Sequence, residues 1–129
     1  MKTIFKTDLD VKLNKKEMEL WIETRKLILK YLGFKVEKVI VRNSSRGHHF
    51  WWHVKGKKLK AQEINFIQLL LGDDMGRYYI NKRRIERGVK NWNKLFSEVL
   101  WKRKILPLVF VCGDGSILNF KKLKAYVRL

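Results

Sequence analysis

The strongest constraint on the fold is the order in which two hydrophobic periodicities alternate along the chain. Residues 4–13, 34–42 and 48–55 read as β-strands, whereas residues 15–33 and 59–72 repeat apolar side chains at helical spacing. Each helical segment ends in a glycine, which readily adopts the left-handed conformation found at helix C-termini. The resulting order β-α-β-β-α predicts an α+β fold with an antiparallel sheet and helices packed mainly on one face.

The remaining third of the chain gives weaker patterns. Residues 73–88 predict a short basic helix with Asp73 or Asp74 at its N-cap, and residues 91–104 predict an amphipathic helix or a loop. Residues 105–120 place two apolar runs around an Asp-Gly turn, which favours a hairpin, and residues 121–129 have no assignable pattern. The chain has no linker or repeat, so residues 1–129 are predicted to form a single domain. We expect the sheet of this domain to be RRM-like.

The charge of the chain indicates a polyanionic partner. Thirty Lys and Arg residues against twelve Asp and Glu residues give a formal net charge of +18. Such an excess raises the self-repulsion of the folded state, and a polyanion such as nucleic acid would relieve it. A lysine-rich surface for thermal stability fits less well, because such surfaces are also enriched in glutamate. We therefore expect a nucleic-acid-binding protein, with DNA favoured over RNA as its partner.

Other features of the composition narrow the class of protein. No apolar stretch approaches the roughly 20 residues of a membrane span, and the N-terminus lacks the apolar segment of a signal peptide. We therefore expect a cytoplasmic protein with no membrane association. The single cysteine, Cys112, excludes an internal disulfide and a cysteine-based zinc site. The sequence does not indicate an oligomeric state.

A pair of acidic residues in the first predicted strand is a candidate metal site. Asp8 and Asp10 are two residues apart, so a strand would place both carboxylates on the same face. Two such carboxylates repel each other unless a cation lies between them, and Mg²⁺ or Mn²⁺ prefers oxygen ligands of this kind. The alternative is that both residues belong to a solvated outer face.

The segment NSSRGHHFWWHV, residues 43–54, places histidines on both faces of the third predicted strand. Alternation puts His48 with Phe50, Trp52 and Val54, and puts His49 with Trp51, His53 and Lys55. The first set is the more apolar and should meet the helices, which would leave His49 on the open face near Asp8 and Asp10. A histidine there could bind phosphate or a metal, and Trp51 could stack on a base. The alternative is that both faces are buried.

Taken together, these motifs resemble those of the archaeo-eukaryotic primase superfamily. That family carries a D-x-D strand followed by a Ser-Gly-rich turn and a G-x-H strand, which this chain matches through Asp8, Asp10, Ser44, Gly47 and His49. The resemblance covers residues 4–75. It implies a replication protein whose α+β core transfers nucleotides from nucleoside triphosphates by a two-metal mechanism, with Mg²⁺ or Mn²⁺ as the cofactor.

The resemblance also implies roles for individual residues. Asp8, Asp10 and His49 would form the catalytic set, with the two aspartates as metal ligands and His49 contacting the phosphates of the nucleotide. The family's third acidic ligand would be Asp73 or Asp74, which here follow a helical pattern rather than a strand. Because the chain is small for a complete primase core, a non-catalytic DNA-binding protein is the main alternative.

A second enzymatic interpretation is a rolling-circle replication initiator. These proteins use a histidine pair to bind a metal and a helical tyrosine to attack a DNA phosphate. Tyr78 and Lys82 have the Y-x-x-x-K spacing of such initiators. However, three residues separate His49 from His53, whereas the initiators have a single apolar residue between their histidines.

The densest basic segment lies between residues 82 and 90. If it is helical, its arginines form a ridge that could contact phosphates. We predict that nucleic acid contacts this segment, the turn before the third strand and the open face of that strand. The predicted contact residues are Arg46, Trp51, His53, Lys82, Arg83, Arg84, Arg87 and Lys90.

Overall fold

The computed structural model describes residues 1–95 and a short strand at residues 108–111. Its elements are, in chain order, β1 (Lys2–Leu9), α1 (Lys15–Tyr31), β2 (Lys35–Asn43), β3 (His48–Lys55), α2 (Ala61–Leu70), α3 (Met75–Glu86) and β4 (Leu108–Val111). The predicted amphipathic segment at 91–104 lies largely outside the described residues. So do the predicted hairpin at 105–120, apart from β4, and residues 121–129.

The strands form a four-stranded antiparallel sheet in the order β1-β3-β2-β4. The connection from β1 through α1 to β2 skips one position in the sheet, and β3 then fills the gap between them. The predicted α+β architecture with an antiparallel sheet is therefore confirmed. In the described part of the chain, no helix is both long and apolar enough to cross a membrane.

One face of the sheet carries the hydrophobic core and is covered by α1 and α2. Trp52 is fully buried there, stacks on Phe50 at a centroid distance of 5.3 Å, and donates its Nε1–H to Thr7 Oγ1 at 2.9 Å. The main core side chains are Phe5, Val36, Val39, Val41, Phe50, Trp52 and Val54 from the sheet, with Met18, Ile22, Leu29, Ile67 and Leu71 from the helices. We call this the core face and the opposite side the second face.

The helix ends follow the local signals in the sequence. Asn14 caps α1 and forms a reciprocal capping box with Glu17. Asp74 caps α3 by accepting a hydrogen bond from the backbone N–H of Arg77. Gly33 and Gly72 both have φ of +92°, in agreement with their predicted place after the helices.

The first strand ends earlier than the sequence predicts. Leu9 pairs with His48, the first residue of β3, so the chain beyond Leu9 has no partner strand to continue the ladder. Gly47 packs tightly against this exit, because a Cβ at Gly47 would lie 1.8 Å from the carbonyl oxygen of Leu9. Asp10 and Val11 therefore lie outside the strand and are exposed.

Candidate functional site

Three polar side chains form a row across the second face of the sheet. Asp8 on β1 is directly opposite His49 on β3, which is directly opposite Arg42 on β2. The Nε2 atom of His49 lies 3.3 Å from Oδ1 of Asp8. Trp51 is next to this row and contacts the His49 ring edge-on at a centroid distance of 6.4 Å. The structure thus brings Asp8 and His49 together, as the sequence predicts.

This polar row is buried rather than open. His49 and Trp51 each expose 4% of their surface, and Arg42 exposes 2%. Burial lowers the pKa of the Arg42 guanidinium, because desolvation penalises its charged form. The second face is therefore not the open surface that the sequence predicts at this row.

His48 occupies the core side of the same strand and has two hydrogen-bond partners. Its Nε2 accepts the backbone N–H of Leu13 at 3.0 Å, and its Nδ1 lies 2.7 Å from Oδ1 of Asn43. These contacts assign the proton of the neutral ring to Nδ1. Burial, followed by the charges of Lys12 and His49, lowers the pKa of His48 to about 4. His48 therefore holds the chain after β1 against the start of β3.

The other predicted metal ligands are held elsewhere. Asp10 is exposed beyond the end of β1, and Asp74 is the N-cap of α3. Asp73 is buried, pairs with Arg77 at 3.1 Å, and accepts the backbone N–H of Asp8 at 2.8 Å. Burial raises the pKa of Asp73, and the charge of Arg77 opposes that rise. Within residues 1–95, no three metal-ligating side chains come close enough to form a metal site.

Asp73 belongs to a set of side chains that cover the outer edge of β1. Gln68 accepts the backbone N–H of Lys6 at 2.8 Å, and Arg77 donates to the carbonyl of Lys6 at 3.2 Å. Arg77 also contacts Asn93 and donates to the carbonyl of Lys94. These side chains satisfy backbone groups that would otherwise expose an edge strand. Sequence reasoning missed Gln68 and Arg77, because nothing in their local pattern indicates the strand that they cover.

The predicted basic segment is helical only as far as Glu86, where α3 ends; Arg87 is the C-cap of α3, and Lys90 follows the helix. Lys82, Arg83, Arg87 and Lys90 are all exposed, and we call these four residues the basic ridge. No carboxylate within the described part of the chain forms an ion pair with them. Arg84 is also exposed, but it donates to the carbonyl of Trp92 at 3.4 Å.

The remaining residues that the sequence predicts for nucleic-acid contact or nicking lie on different elements of the fold. Arg46 is exposed in the turn before β3, and His53 is half-buried on the second face. Burial and the charge of Lys38 lower the pKa of His53, while Glu37 opposes the change. The ring of Tyr78 contacts Tyr79 on α3, and α3 packs against α2. Tyr78 thus contacts a neighbour on its own helix, whereas the proposed pair, His49 and His53, lies on β3; a nicking tyrosine requires these groups to converge.

Comparison of the chain with protein-family models, curated proteins and solved structures returns no match. The resemblance to primases therefore depends on the short motifs that contain Asp8, Ser44, Gly47 and His49, and it stays a prediction.

Proposed function

We propose that this protein binds nucleic acid through the basic ridge. The observation that carries the proposal is the exposure of Lys82, Arg83, Arg87 and Lys90 with no ion-pairing carboxylate in the described chain. Glu86 is the only acidic residue within α3. Cations near the end of a helix also stabilise it through its dipole, but that effect needs only one or two charges. The ridge has more exposed cations than the helix dipole requires, and this excess of positive charge favours phosphate groups as the partner.

The spacing of the arginines suits a phosphodiester chain. Arg83 and Arg87 are four residues apart and project from the same side of the helix, about 6 Å apart along its axis. Successive phosphates of one DNA strand advance by about 3.4 Å along the duplex axis, so the two arginines match phosphates roughly two steps apart.

An exposed aromatic ring extends the same side of α3. Tyr79 precedes Arg83 by one turn and exposes 57% of its surface. Its ring is held by an edge contact with Tyr78 at a centroid distance of 5.5 Å. Base stacking on such a ring is available only to an unpaired base, which favours single-stranded nucleic acid.

The proposal is tested by removing two charges from the ridge. We expect Arg83→Gln with Arg87→Gln to weaken binding of a labelled single-stranded oligonucleotide by about five- to thirtyfold, from roughly 0.5–1 kcal/mol per lost contact. Fluorescence anisotropy at low salt measures the change. The matched control is Lys15→Gln with Lys16→Gln, which removes the same charge from the exposed start of α1. Equal weakening by both pairs would contradict a role for the ridge.

A second candidate function is primase-like nucleotidyl transfer. The contact between Asp8 and His49 supports it, because the primase resemblance assigns these two residues to the metal and to the phosphates of the nucleotide. A bound Mg²⁺ or Mn²⁺ would supply electrostatic stabilisation of the transferred phosphoryl group. The carboxylates of the described residues do not form a site for that cation, because Asp10 lies outside the strand and Asp73 is paired with Arg77.

Calorimetry and primer extension together test this candidate. It predicts that Mn²⁺ binds in the presence of nucleotide, that a primer is extended, and that Asp8→Asn with Asp10→Asn abolishes both. Glu19→Gln, at an exposed position on α1, is the control for the loss of acidic charge. If the wild-type protein neither binds Mn²⁺ nor extends a primer, the Asp8–His49 contact is structural.

A further inference from the structure

The strand register brings lysines together on the second face, at the opposite end from the polar row. Lys2 on β1 is directly opposite Lys55 on β3, and Lys55 is directly opposite Lys35 on β2. We call these three residues the lysine row. The adjacent row contains Lys38, opposite His53. All four lysines are exposed.

This arrangement is unfavourable for the sheet by itself. Neighbouring strands are about 4.8 Å apart, and like charges directly opposite each other destabilise a strand pair. Within residues 1–95, the only carboxylate that forms an ion pair with these lysines is Glu37, whose Oε1 is 4.0 Å from Nζ of Lys2. Four cations against one anion leave a local excess of positive charge that a bound anion would neutralise.

The surroundings of the row suit an extended polymer better than a small anion. The row crosses three strands and so spans about 10 Å, from the spacing of adjacent strands. Ile4 and His53 form the next row with Lys38, and Ile4 is 40% exposed. The cations therefore adjoin partly exposed apolar and aromatic surface, as in grooves that bind single-stranded nucleic acid.

We propose that the lysine row and Lys38 form a second contact surface for the sugar-phosphate backbone of the nucleic acid. This inference rests on the proposed function, and it extends the interface from α3 to the second face of the sheet. The two surfaces belong to different elements, since α3 packs on α2 and the lysines belong to β1, β3 and β2. A strand of nucleic acid bound at both surfaces makes more phosphate contacts than the ridge alone provides.

The test substitutes the two adjacent lysines that lack an ion pair in the described chain, Lys35→Gln with Lys55→Gln. Two lost phosphate contacts should lower the slope of log Kd against log salt by about 1.4 on single-stranded DNA. The same change removes a like-charge pair, so the midpoint of thermal unfolding should rise by roughly 1–4 °C. The control, Lys15→Gln with Lys16→Gln, should leave the salt slope unchanged. Its unfolding midpoint is not a control, because these lysines lie in the first turn of α1, where positive charge opposes the helix dipole.

The possible outcomes separate this inference from the proposed function. If the ridge variant loses affinity while the Lys35 and Lys55 variant keeps the wild-type salt slope, the second surface is refuted and the proposed function stands. If wild-type protein does not bind nucleic acid, both are refuted. If the Lys35 and Lys55 variant loses binding only to vesicles containing phosphatidylserine, the lysines face an anionic membrane, and the inference is again wrong.

Discussion

Two adjacent histidines in this chain have opposite environments because a strand alternates its side chains. His48 lies on the core side and bonds to Leu13 and Asn43, whereas His49 lies on the second face against Asp8. Protonation of His48 would place a second N–H against the N–H of Leu13. His49 instead has the carboxylate of Asp8 beside it. The two residues therefore differ in environment because of their position, although they are chemically the same.

The environment of His48 predicts how stability depends on pH. Its pKa is lowered to about 4 in the folded protein, whereas an unfolded chain has a histidine pKa near 6.5. Between these values the unfolded chain binds a proton that the folded protein does not, so stability falls as pH falls through this window. We expect up to about 3 kcal/mol of unfolding free energy to be lost by pH 4 through this group.

The control for this prediction is His48→Gln, which retains an acceptor for Leu13 but does not titrate. Urea unfolding from pH 7 to about pH 4 should show a loss of stability in the wild type that exceeds the loss in the variant. Acidic residues that titrate below pH 5 affect both proteins and cancel in the difference. Equal losses would mean that His48 is not buried as a neutral ring.

At the scale of elements, local patterns predict most of the fold. The limits of β3 match the prediction, and α1 begins at Lys15 as predicted, because alternation and helical spacing act between neighbouring residues. The predicted end of β1, at Leu13, lies four residues beyond its observed end at Leu9. Its pattern continues to Leu13, but its partner strand starts at His48, opposite Leu9. The length of a strand depends on its partner as well as on its own sequence.

In the candidate site, too, features that depend on neighbouring residues could be predicted, and features that depend on distant residues could not. The exposed cations of α3 could be predicted from the chain, because a helix brings residues close in sequence to one side. The pairing of Asp8 with His49 was predicted from the primase resemblance and from alternation. The lysine row and the cover over the edge of β1 could not be predicted, because residues distant in sequence become neighbours only through the register. Gly47 has one property of each kind. Its place in the S-x-x-G-x-H motif can be read from the sequence, whereas its close approach to Leu9 is visible only in the fold.

At the scale of the whole molecule, the central feature is a charge of +18 carried by a small α+β domain. The core face of the sheet packs against α1 and α2. On the second face, Arg42 and His49 of the polar row are buried. The exposed positive charge in the described chain includes two organised sets, the basic ridge and the lysine row. Among residues 1–95, too few carboxylates form ion pairs with either set to balance its charge. This distribution favours a polyanion as the partner of the folded protein.

The most direct test is the salt dependence of binding by the wild-type protein. We expect log Kd for a single-stranded oligonucleotide to rise linearly with log salt between about 50 and 300 mM, because each phosphate contact releases counterions. The four cations of the ridge predict a slope of at least about 3, at roughly 0.7 per contact, and a steeper one if the lysine row also binds. Fluorescence anisotropy over a series of salt concentrations gives the slope. An affinity that does not change with salt, or no binding at the lowest salt, would contradict the account.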